Sequence, residues 1–137
     1  MDPLSMAASI IAAVQMTGTV LGYLNDVKDA SKDRDKLCIE ASSVYGLLTS
    51  LAYRIKAAKP DEPWFTAVRM LGTENGPLDQ FKQTLQSIAS KLGPTAGFEK
   101  VRKSLIWKFE KKEVNACLIQ IERLKSLVSL ALANDHL

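Results

Sequence analysis

Histidine is nearly missing from this chain: the one copy, His136, is the second-last of 137 residues. Histidine-based proton transfer and histidine metal sites therefore have almost nothing to work with. Cysteine is scarce too. Cys38 and Cys117 are the only two, which excludes a disulfide-stapled secreted scaffold. Each adjoins an apolar helix position and reads as a buried free thiol. No basic region opens the N-terminus, where Asp2 is the first charged side chain. A cleavable signal peptide is not expected, and a reduced, cytoplasmic setting is. The sequence holds no GxSxG, GxxxxGK[ST], HExxH or CxxC motif; without the residues that those chemistries need, no enzyme, catalytic residue, metal or cofactor is expected. Glu40, Asp79, Glu99 and Glu122 show no acid–base pairing and read as solvated helix residues. The basic excess is small, 18 Lys and Arg against 15 Asp and Glu. That is no footprint of a dedicated nucleic-acid binder, and no nucleic-acid partner is expected.

Glycine and proline are few and confined. The prolines are Pro3, Pro60, Pro63, Pro77 and Pro94, and residues 98–137 contain neither residue type. Breakers held in short windows leave long uninterrupted elements between them, too long for strands. The hydrophobic fraction of 47% and charged fraction of 24% are those of a folded globular chain. Leu37, Ala41, Val44, Leu48, Leu51 and Ile55 recur at steps of four and three, a bundle-facing seam in a helix over about 31–59. Leu78, Phe81, Leu85, Ile88 and Leu92 repeat the pattern over 77–92. Val114, Leu118, Ile121, Leu124, Val128 and Ala131 repeat it in a last segment, 98–133, continuous or broken once near Trp107–Phe109. A short helix is expected at 63–71, and a first helix over 3–26 with Asp2 as N-cap. The spacing predicts an all-α, up-and-down bundle of four main helices plus a short helix, in a single domain spanning 1–137.

The first helix is unusual. Pro3 to Asn25 is a run of 23 residues without a charged side chain. Such a helix spans ~34 Å, close to the hydrocarbon thickness of a bilayer. Leu4, Ile10, Ile11, Val14, Val20, Leu21 and Leu24 are its candidate membrane-inserting residues. Gly18 and Gly22 form a GxxxG step, which permits close helix packing in lipid. The plainer reading is a central helix buried on all sides of a soluble bundle. A second feature is the basic cluster Lys100, Arg102, Lys103, Lys108, Lys111 and Lys112, interleaved with Trp107 and Phe109. It suits an anionic lipid surface. Its plainer reading is a solvated helix face with aromatics pointing inward.

These residues also carry a resemblance. Met1-Asp2-Pro3-Leu4-Ser5-Met6-Ala7-Ala8-Ser9-Ile10-Ile11 resembles the opening of fungal HeLo-like N-terminal domains. Ser104-Leu105-Ile106-Trp107-Lys108-Phe109, Lys112-Glu113-Val114 and Ile121 to Leu127 resemble the closing helices of that family. Lys108 departs from it, since the family often has proline there. The resemblance implies a non-enzymatic cell-death effector domain of STAND/NLR-type proteins. It implies self-association, as a homodimer or higher oligomer, driven by downstream receptor or effector domains. Recruitment from the cytoplasm to a membrane would follow, with permeabilisation led by the first helix. The alternative from another class is a helical interaction module that never touches lipid.

Overall fold

A computed structural model describes residues 2–27, 31–92 and 109–136. Every regular element among them is helical, as the seam spacings predict. Helix α1 (Pro3–Asp26) begins where Asp2 Oδ1 accepts the Ser5 N–H at 2.6 Å and Pro3 takes the first turn. That bond holds the Asp2 carboxyl below its usual range. Helix α2 (Lys32–Lys56) begins where Ser31 Oγ accepts the Arg34 N–H at 3.0 Å. It ends at Lys56 rather than near Lys59, because the Pro60 ring would strike the carbonyl four residues back. Helix α3 (Pro63–Val68) tightens into a 3-10 turn, Arg69–Gly72, so the short helix expected at 63–71 is two pieces. Helix α4 (Pro77–Leu92) has the expected bounds. Helix α5 (Lys111–Ala133) starts at Glu110, whose N–H is taken by Glu113 Oε1 at 3.0 Å. Residues 109 and 110 are not helical, so this helix does not extend back through Phe109. The rest of the helix expected from residue 98 lies outside the described residues.

Four long helices form a ring. α1 packs on α2 and α4, and α5 packs on the same two. Side-chain pairs give their directions. Arg34, early in α2, reaches the Leu24 carbonyl late in α1 at 3.2 Å, so these two run antiparallel. Lys82 Nζ donates to Ser9 Oγ at 2.7 Å, both early in their helices, so α1 and α4 run parallel. Glu40 meets Lys125 at 2.7 Å and Arg54 meets Asp135 at 2.7 Å, so α2 and α5 run parallel. Lys91 pairs with Glu113, so α4 and α5 run antiparallel. Directions therefore alternate along the chain, but spatial neighbours do not follow chain order. The step from α2 to α4 crosses the diagonal, and α3 with its 3-10 turn is the strap that crosses it. The strap end of the bundle holds the starts of α1 and α4 and the ends of α2 and α5. The opposite end holds Leu24, Lys32, Lys91 and Lys111.

The seam of α2 is buried throughout, as are Leu78, Phe81, Leu85 and Ile88 of α4. In α5, Val114, Ile121, Leu124 and Val128 are buried with Cys117, while Leu118 and Ala131 are half-buried. The thiols divide. Cys117 is buried, but Cys38 is only half-buried, because it sits at the rim between α1 and α2 beside Asn25. Burial raises both thiol pKa values, which lowers their reactivity. The strap is fixed by Trp64, whose Nε1–H donates to the Ala131 carbonyl at 2.8 Å. Arg54 stacks on its ring at 4.3 Å and bonds Glu62 at 2.6 Å.

Acid should loosen both ends of the bundle. Arg54 holds the Glu62 carboxyl below its usual range. The Glu110 N–H and Lys91 do the same for Glu113. A depressed folded pKa contributes stability above the unfolded carboxylate value of about 4.3, and that stability is lost as pH falls through the folded value. The melting temperature should therefore be level above about pH 5 and fall below about pH 4, with Glu62→Gln flattening part of the drop. Calorimetry across that range checks it. Two glycines offer the opposite lever. A Cβ at Gly22 or Gly46 would meet nothing within 4 Å, and both sit inside long helices. Gly22→Ala and Gly46→Ala should each stabilise by about 0.5–1 kcal/mol, read as a rise in the denaturant midpoint.

Candidate functional site

α1 is long and apolar enough to cross a membrane, a test that core helices of soluble proteins also pass. Its burial is one-sided. Met6, Ile10, Ala13, Thr17, Val20 and Leu24 are buried at steps of four and three. Thr17, the one buried polar side chain in the described core, returns its hydroxyl to the Ala13 carbonyl at 2.7 Å. The other side faces out. Leu4, Ala8, Gln15, Thr19 and Gly22 are exposed, with Ile11 and Ala12 half-buried beside them. The expectation of a helix buried on all sides is thus corrected: α1 is one stave of four, with an uncharged face turned outward.

The candidate inserting residues fall into three groups. Ile10, Val20 and Leu24 belong to the core. Ile11, Val14 and Leu21 are half-buried at the edges. Leu4 is 74% exposed at the strap end. Gly18 takes the Tyr45 ring against it, 3.4 Å from where a Cβ would stand. Gly22 faces open space. Of the two glycines, only Gly18 meets a neighbouring helix, through Tyr45 of α2.

Polar contacts tie both ends of α1 to its neighbours. No basic residue stands in its last turn. Arg34 supplies that charge from α2 by donating to the Leu24 carbonyl, where the helix dipole favours a cation. Its Nη2 pairs with Asp35 at 2.8 Å, and its Nε is buried without a hydrogen-bond partner. Near the start, Lys82 holds Ser9.

The basic cluster is placed only by its last two members. Lys111 and Lys112 are exposed at the start of α5. Lys100, Arg102, Lys103 and Lys108 lie outside the described residues, as does Trp107. Phe109 is half-buried against the core, under Lys91 at 5.3 Å, as its inward-pointing reading expects. Lys111 and Lys112 share the bundle end with Leu24, not with Leu4. α1 is ~36 Å long, so the cluster's visible part and the first turn of α1 stand at opposite ends.

Sequence reasoning singled out the larger apolar residues of α1 and missed most of its outward face. The signal was present: residues 4, 8, 11, 15, 19 and 22 recur at steps of three and four. It was hidden because both faces lack charge. Among the described residues, no group of His, Cys, Asp and Glu could hold a metal ion. No family model, curated protein or solved structure matches this chain.

Proposed function

We propose that this chain is a non-enzymatic, membrane-targeting effector domain of programmed cell death, of the heterokaryon-incompatibility or innate-immune type. It rests in the cytoplasm as a bundle, self-associates, and permeabilises a membrane through α1. The observation that carries this reading is the outward face of α1, uncharged from Leu4 to Gly22 on a helix of bilayer-spanning length. A soluble bundle ordinarily turns charged residues to water on such a face. The resemblance of the opening residues to HeLo-like domains supports the same reading. Lys111 and Lys112, with the rest of the cluster, would dock on anionic headgroups at ~1 kcal/mol per residue.

One observation favours an interaction module instead. α1 buries eight of its residues in the bundle, as a purely structural helix would. Dye release from vesicles separates the two readings. The purified chain is expected to leak vesicles containing phosphatidylserine more than neutral ones. Neither leakage nor co-sedimentation after forced dimerisation would overturn the membrane reading.

A further inference from the structure

We propose that the groove between the strap and α5 binds a free long-chain carboxylate, a fatty acid in its anionic form. The groove measures about 630 Å³, within the range of small-molecule sites. One wall is α5 with its C-cap, where Arg123, Leu127, Leu130 and Asn134 line a strip about 16 Å long. The other is the strap, which presents Trp64, Val68 and Met70. Two large apolar side chains stand open to water on opposite walls, Met70 at 68% exposure and Leu130 at 59%. Unpaired apolar surface of this kind marks a place where something apolar sits. Methionine, unbranched and flexible, suits a chain without fixed shape.

Charge selects the occupant. Arg123 stands at one end of the strip, and its contact is a long 3.4 Å hydrogen bond to the neutral Gln80 side chain. No ion pair engages it among the described residues, whereas Arg54 and Lys125 are both paired. A planar cation at the end of an apolar trough matches a carboxylate joined to one alkyl chain. The single trough and single cation fit one chain, not the paired chains of a membrane phospholipid. No residue of α1 lines the groove, so this site stands apart from the membrane reading.

Calorimetric titration of laurate into the full chain tests it, beside a trimethylammonium surfactant of equal chain length. Laurate should bind one to one and the cationic surfactant at least tenfold more weakly. Arg123→Glu should weaken laurate about tenfold, the weight of one charge-assisted hydrogen bond. The same change should invert the preference between the two head groups. Leu130→Glu, at an exposed position, should weaken both ligands, with melting curves confirming that each variant folds. Equal affinity for the two head groups, or laurate binding untouched by both variants, would overturn the proposal. So would a dimer that Leu130→Glu dissociates in a chain that ignores laurate, since a second copy would then fill the groove.

Discussion

Gln15→Glu should cut vesicle leakage roughly a hundredfold while leaving the melting temperature within a degree or two of wild type. Gln15 lies at the middle of α1 and is exposed to solvent. The substitution keeps the side-chain shape and adds only charge. In water an exposed carboxylate on a helix is nearly free. At the centre of a bilayer-crossing helix a charge costs about 2.5–3.5 kcal/mol on the insertion scale. The difference falls wholly on the inserted state. Ala8→Glu, also exposed and nearer the first turn, should act in the same direction with a smaller effect, since charge is tolerated better toward a membrane interface. Leu21 is a poorer choice, because it is half-buried at the edge of α1, and a charge there would disturb the bundle as well. Unchanged leakage in both exposed variants would remove α1 from the mechanism.

Removing residues 1–26 should abolish cooperative unfolding. Met6, Ile10, Val20 and Leu24 are at most 2% exposed. Their burial contributes about 6–12 kcal/mol at roughly 1.5–3 kcal/mol for each large side chain. That is the scale of a whole domain's net stability, about 5–15 kcal/mol. The deletion would also bare the facing sides of α2 and α4. The truncated chain should bind a hydrophobic dye, keep part of its helical circular dichroism and melt without a transition. A truncated chain with a sharp native-like melt would show that α1 is a detachable accessory. The expected result constrains any release of α1 in the full chain. Lipid contact or association between copies must offset a loss of this size.

Sequence pattern revealed most of the fold because each long helix repeats its buried residues at bundle spacing. Phe81 and Leu85 on α4, or Val44 and Leu48 on α2, needed no structure to be placed inward. The ring order was not legible. It depends on a diagonal crossing held by Trp64, Arg54 and Asp135, and nothing in their spacing announces a bond across the fold. Cys38 was misplaced as buried because it follows the seam residue Leu37; the rim beside Asn25 is a tertiary fact. For the candidate site, the uncharged run of α1 was visible, but its buried side was not. With no charge on either face of α1, its few polar residues such as Gln15 and Thr19 mark the outward side only faintly, and the neighbouring helices decide it.

The separation of the two ends of α1 divides a membrane encounter into two clocks. With Lys111 and Lys112 at the lipid, the Leu4 turn stands ~36 Å away. Fields in physiological salt decay over about 8 Å, so that turn would sense none of the surface charge. Added salt would then slow the arrival of the protein at the vesicle and leave the later step, from bound protein to leak, at its own pace. Electrostatic attraction would choose the membrane without helping to breach it.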